Sequence, residues 1–280
     1  MGRFFWLAPV ALLSFWLYMN GWSPVEASSN PHGSYSALTD VCAACHRTHS
    51  GNGPRIILSN NVRSLCDTCH QGYQGSSYDV EAGTIFNGGA NSPSLAGPFN
   101  SSSGATSSHL IDTPRNPLYV PGGPNATNLA LSCASCHDPH GSPNYRMFRT
   151  TVTWNGLNVA VPNFTATLNN RLATETVTYQ TGSLDACSAC HTDYIQRSGG
   201  SYSAGFRHRV GITVTTSSYT PGSLPLEQQT VTNRIVCLTC HYAHGTTVTN
   251  TAEGGRQGFS TALKRFTDSG VCSGCHFNKW

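Results

Sequence analysis

The stretch CASCHDPHG, residues 133–141, carries two cysteines three positions apart, a histidine directly after the second, and another histidine three residues later. Cys-x-x-Cys-His is the attachment signature of a c-type haem: the two thiols add to the porphyrin vinyl groups and the adjacent imidazole binds the iron. At 3.6 residues per turn, this spacing gathers both sulfurs and the imidazole on one helical turn. The pattern of Cys133, Cys136 and His137 recurs at Cys42, Cys45 and His46 (CAACH), Cys66, Cys69 and His70 (CDTCH), and Cys187, Cys190 and His191 (CSACH). It recurs again at Cys237, Cys240 and His241 (CLTCH) and at Cys272, Cys275 and His276 (CSGCH). A single CxxCH also suits a zinc ribbon or a thiol redox site. Six copies absorb all 12 cysteines of the chain and leave none for a disulfide or a separate metal centre. The expected cofactors are six covalently bound c-type haems.

Thioether attachment of haem takes place outside the cytoplasm, and the N-terminus agrees with export. Arg3, an apolar stretch from Phe4 to about Met19, and a small-residue site ending at Ala27 read as a signal peptide over 1–27. The apolar run is shorter than the roughly 20 residues that span a bilayer, and no cysteine near the cleavage site could carry a lipid. The 253 residues that follow amount to about 42 per haem, too few to build a separate apolar core around each cofactor. The haems themselves are therefore expected to form the core. Charged residues make up only 10% of the chain, which also holds 28 glycines and 15 prolines. Such a composition is close to that of disordered chains, so folding is expected to depend on haem attachment. The formal net charge of +3 is offset by the haem propionates, and no basic run or nucleic-acid motif argues for a nucleic-acid partner.

Histidine arithmetic indicates the kind of haem protein. Of 12 histidines, six follow a CxxC and six remain: His32, His49, His109, His140, His208 and His244. Six irons need six distal ligands for full bis-histidine coordination, and six are present. Met147 is the one methionine left beyond the leader, and bis-histidine ligation without Met favours low potentials.

The form CHxxH occurs in the first, third and fifth motifs, supplying His49, His140 and His244, and not in the second, fourth or sixth. The chain thus reads as three haem-pair repeats, over 28–110, 111–208 and 209–280, within one continuous haem-cored unit. Residues three apart on a helical turn project from nearly the same side, so His140 cannot reach the face opposite His137 on the same iron. It is expected on the haem of Cys187/Cys190, with His49 on the haem of Cys66/Cys69 and His244 on that of Cys272/Cys275. His32, His109 and His208 remain for haems one, three and five. A local scheme gives each haem the lone histidine upstream of it. A shifted scheme gives haem one His109 and haem three His208, leaving His32 free to ligate haem five of a neighbouring copy.

Paired CxxCHxxH and CxxCH motifs across the mature chain, a lone histidine near its start and full bis-histidine stoichiometry resemble the extracellular cytochrome nanowires, the OmcS-like and OmcE-like filaments of metal-respiring bacteria. The resemblance implies closely stacked haems and subunits that polymerise head to tail, a histidine of one subunit completing a haem in the next. For this chain it implies that role for His32. The long inserts at 71–132, 142–186 and 192–236 match no motif, so the resemblance covers ligands more than surfaces.

Between motifs, TVTWNGLNVAV (151–161) sets Asn155 and Gly156 between alternating apolar runs, the strongest hairpin signal in the chain. VGITVTTSSYT (210–220) and QQTVTNRIV (228–236) read as short strands, and the turn-rich 83–104 as loop. The expected fold is mostly irregular coil with short helices at the haem motifs and a few β-hairpins, the aromatic side chains packing on porphyrin edges. An electron conduit follows from close, saturated haems. A multihaem nitrite or hydroxylamine reductase needs an open iron, and no CxxCK variant or shortage of histidines provides one. The expected protein is a non-enzymatic, secreted electron carrier acting at the cell surface. Its expected partners are its own copies, redox cytochromes and extracellular acceptors; the alternative is a monomeric periplasmic shuttle.

Overall fold

The computed structural model describes residues 32, 42–72, 76–86, 91–99, 104–112, 120–123, 130–169, 176–192, 210–214, 224–229, 232–248 and 275. The leader, His208, Cys272 and His276 lie outside the described residues.

The haem motifs nucleate the helices. α1 (Val62–His70) contains the second motif and is capped by Asn61, whose Oδ1 accepts from the Ser64 backbone N–H at 2.8 Å. α2 (Cys133–Cys136), α3 (Ser183–Ser188) and α4 (Cys237–Cys240) are shorter. The histidine N–H donates to the carbonyl of the first cysteine at 2.8 Å for His46, 2.9 Å for His137, 3.1 Å for His191 and 3.0 Å for His241. One closed α-turn per motif is what brings two sulfurs and an imidazole together. In α2 and α4 the hydroxyl before the second cysteine closes the N-terminus: Ser135 Oγ accepts from Ser132 N–H, and Thr239 Oγ1 from Val236 N–H, both at 3.0 Å.

The strands are short. β1 (Tyr78–Asp79), β2 (Thr84–Phe86) and β3 (Asn91–Pro93) form an antiparallel sheet, so the segment expected as loop over 83–104 contains two strands. Turn residues dominate that composition, but three-residue strands need only Ile85, 1% exposed, to anchor them. β4 (Ser107–Ser108) pairs with β11 (Gly245–Thr246) across about half the chain. β5 (Thr151–Trp154) and β6 (Leu157–Ala160) are the expected hairpin, with Asn155 at φ 47° and Gly156 at φ 79°. Two successive positive φ values are the type I′ turn that matches strand twist.

β7 (Thr165–Asn169), β8 (Thr176–Thr181), β9 (Glu227–Gln229) and β10 (Thr232–Arg234) form a four-stranded sheet in the order β10-β9-β8-β7. The strand expected over 228–236 is therefore the outgoing end of one strand and the whole of the next, and within 210–220 the described pairing is a single bridge of Thr213 to Arg234. Val152, Val159, Val161, Phe164, Val177, Tyr179, Ala189, Val236 and Leu238 form one apolar cluster under this sheet. A protein core thus exists beside the haem sites, where the sequence suggested that haem alone would fill that role. Trp154, Phe164 and Tyr179 belong to protein packing, while Phe99 and Phe148 lie against His244 and His137. Among the described residues no helix is long and apolar enough to cross a membrane.

Candidate haem sites

The structure brings eight histidine rings together in four pairs. His46 and His140 have centroids 6.1 Å apart, His32 and His70 6.1 Å, His137 and His244 6.3 Å, and His109 and His191 6.3 Å. Each pair joins one CxxCH histidine to one of the six others. Two metal–imidazole bonds of about 2 Å, plus the distance from each nitrogen to its ring centre, place centroids across a six-coordinate metal about 6 Å apart. The interplanar angles run from 15° for His46/His140 to 80° for His137/His244 at nearly constant separation. A fixed gap with free rotation describes two ligands on one axis better than stacked rings.

The second ring nitrogens fit the same role. Nδ1–H donates to a backbone carbonyl in His46 (Arg55, 2.9 Å), His137 (Arg146, 2.8 Å), His109 (Ala243, 2.7 Å), His191 (Pro121, 2.6 Å) and His32 (Pro139, 3.2 Å). That bond fixes the tautomer and leaves Nε2 for metal. Burial pushes His70, His109, His137 and His244 below the ordinary histidine range, towards the neutral form that ligates. The residues present therefore fit covalently bound haem.

These pairings correct the expected ones. His140 meets His46 and not His191; His244 meets His137 and not the last haem; His109 meets His191 and not the third or first haem. His32 meets His70 within its own chain, so its ring is engaged and does not reach out to a neighbour. The causes are long-range. Asp138 N–H donates to Met147 O at 2.8 Å, Asp138 Oδ1 accepts from His140 N–H at 3.0 Å, and His32 contacts Pro139 O. This clamp turns residues 138–140 back towards the first motif. His244 N–H donates to Ala96 O at 2.7 Å, and His109 N–H to His244 O at 2.9 Å, so the β4/β11 pairing places both rings at once.

That junction requires glycine. A Cβ on Gly97, at φ 75°, would lie 1.8 Å from Gly245 O. Gly97→Ala is expected to cost about 1–3 kcal/mol and to dislodge His244, read as a lower thermal midpoint and a new high-spin haem fraction.

His49 is exposed, and among the described residues it has no partner ring. Its loop is ordered by backbone bonds Arg47 N–H to Ile56 O, Gly51 N–H to Arg47 O, Asn52 N–H to Ile57 O and Leu58 N–H to Cys45 O. Ile56 and Leu58 beside it are 38% and 39% exposed.

The attachment cysteines adjoin in sequence order. Cys45 lies close enough to Cys66 and Cys69 for them to perturb its thiol, as Cys66 does to Cys133, Cys136 to Cys190, and Cys187 to Cys237. Sites one to five thus form an unbroken file.

Beside the second site, Arg63 binds Glu81 through Nε at 2.8 Å and through Nη2, and lies 3.6 Å from Asp67. Burial first, and then Glu81, raise the Asp67 carboxyl to about 6. The unfolded value is about 3.9, so between about pH 4 and 6 the folded chain holds a proton that the unfolded chain has lost. This contribution to stability is full at low pH and is lost as pH rises through 6. Asp67→Asn is expected to flatten that slope in denaturant midpoints measured across pH 4–7.

A family model described as a doubled CXXCH motif matches residues 32–75 and 125–153. No curated protein matches the chain. Among solved structures, the cryo-EM structure of the OmcS nanowires from Geobacter sulfurreducens is similar at 21% identity and a TM-score of 0.53, covering 74% of this chain and 81% of that one. An outer membrane cytochrome S filament from the same organism is similar at 20% identity and 0.49 with the same coverage. The chain thus carries the doubled motif over those residues and shares the fold of the OmcS nanowire structure.

Proposed function

We propose that the protein is a hexahaem, bis-histidine electron conduit whose copies join head to tail into an extracellular filament. The observation that carries this reading is the exposed, unpaired His49 set against four completed histidine pairs. His244 of the fifth motif steps back to the iron of the third, and His140 of the third steps back to that of the first. By the same step His49 belongs to a site before the first, which in a repeating array is a site of another copy. The lone histidines His32 and His109 serve the second and fourth irons. The three ranges 28–110, 111–208 and 209–280 are then interlocked repeats of one ligation scheme. The apolar rim of Ile56 and Leu58 suits the contact with the next copy.

Bound haem supplies the one-electron ferric/ferrous couple. The chain's own task is to hold adjoining sites in file, to fix both axial imidazoles, and to exclude any open coordination position, so no substrate bond is made or broken. Electrons would enter from redox partner cytochromes and leave to minerals, electrodes or other cells. Electron microscopy of the washed extracellular fraction tests the reading. Helical filaments with density joining His49 to a haem of the adjoining subunit are expected. Discrete particles would favour a periplasmic shuttle.

A further inference from the structure

Arg146 and Met147 both hold left-handed backbone, at φ 52° and 55°. Non-glycine residues adopt that conformation at a cost and hold it where the surroundings impose it. Here the guanidinium supplies the restraint: Nη2 donates to Tyr78 Oη and Nε to Tyr145 Oη, each at 3.1 Å, and its carbon lies 4.4 Å from the Tyr78 ring centroid. The bend that results presents the Arg146 carbonyl to His137 Nδ1–H. The same charge acts on His70, His137 and His244. Arg149 follows on the same side, donating from its backbone to Cys136 O at 2.8 Å and from Nε to Ala134 O at 2.5 Å.

Two further features set this site apart. The His244 Nδ1 is buried with no hydrogen-bond partner among the described residues, so this ligand lacks the carbonyl that makes His32, His46, His109, His137 and His191 stronger donors to ferric iron. The His137/His244 planes are also 80° apart, and perpendicular axial planes favour the ferrous state relative to parallel ones.

We propose that Arg146 is a positioning and charge-tuning residue that makes the haem of Cys133/Cys136 the highest-potential station of the chain. A fixed positive charge disfavours ferric iron, which carries one more positive charge than ferrous iron. Electrons delivered to either end then collect at the middle of each subunit. The inference rests on the ligand pairs of the proposed function.

Redox titration followed by electron paramagnetic resonance tests it, because perpendicular ligand planes give the most anisotropic low-spin ferric signal. In the unaltered protein that signal is expected to vanish first on reduction. In Arg146→Gln its oxidised-to-reduced ratio at fixed potential should rise about tenfold, a downward shift of 59 mV for one electron. Arg146→Lys should restore the original value. An unmoved signal in Arg146→Gln, or an equal shift in Arg146→Lys, overturns the proposal. Should Arg146→Gln not take up haem, Tyr78→Glu sets a carboxylate against the guanidinium and must produce the same downward shift; no shift refutes the charge effect. If the strongly anisotropic signal is absent from the unaltered protein, the ligand pair is wrong and the inference falls with it.

Discussion

Replacing His49 with alanine is expected to abolish filaments and leave single subunits in which one haem in six is five-coordinate and high-spin. The argument is one of stoichiometry. Each described CxxCH histidine from the first motif to the fourth faces an imidazole of the same chain, so no ligand among these four sites is lost when His49 is removed. The iron that loses its ligand belongs to the adjoining copy, and the bond that disappears is the one that crosses the interface. His32→Ala is the discriminating control. It also opens one haem in six, because His32 faces His70, yet it should leave filaments intact. Electron microscopy gives the assembly state and the high-spin band in the visible spectrum gives the coordination. Filaments that persist in His49→Ala, or that vanish only in His32→Ala, would return the interface to the N-terminal histidine.

The contrast between these two histidines shows which parts of the architecture are local. At His46, His137, His191 and His241 the motif closes on a single bond from the histidine N–H to the first cysteine carbonyl, so these attachment sites can be read from five residues. The hairpin at 151–161 is equally local, since Asn155 and Gly156 supply the two positive φ values that its turn requires. Which imidazole meets which is not local. His244 reaches His137 because β11 pairs with β4 from the other half of the chain, and that pairing depends on Gly97 and Gly245 lying backbone to backbone. No periodicity in a two-residue strand announces such a contact. His32 and His140 are set by the clamp around Pro139, which likewise joins segments more than 100 residues apart. The alternation of Val177 and Tyr179 is a legible strand signal, and it marks the apolar sheet that composition alone obscures.

His140→Ala is expected to open the first haem and interrupt the file where the third motif reaches back to it. His140 faces His46 at 6.1 Å, and its own motif holds His137, so one side chain links the first and third ligand sets. Its ring is exposed and its backbone is held by Asp138, which argues that truncation spares the fold and removes the ligand. One high-spin iron per subunit should result, with filaments still formed, because His49 is untouched. Conductance should fall far more than stability, since a series path is limited by its slowest hop and each 1.36 kcal/mol added to that barrier slows it about tenfold. His140→Met provides the complementary measurement: a thioether ligand keeps the iron six-coordinate and raises its potential, turning a carrier into a trap. Low conductance in both variants, with a high-spin signal in alanine alone, would locate the effect in ligation of the first haem. A wholly low-spin spectrum in His140→Ala would show that another group supplies that ligand and that the His46/His140 pair does not hold the iron.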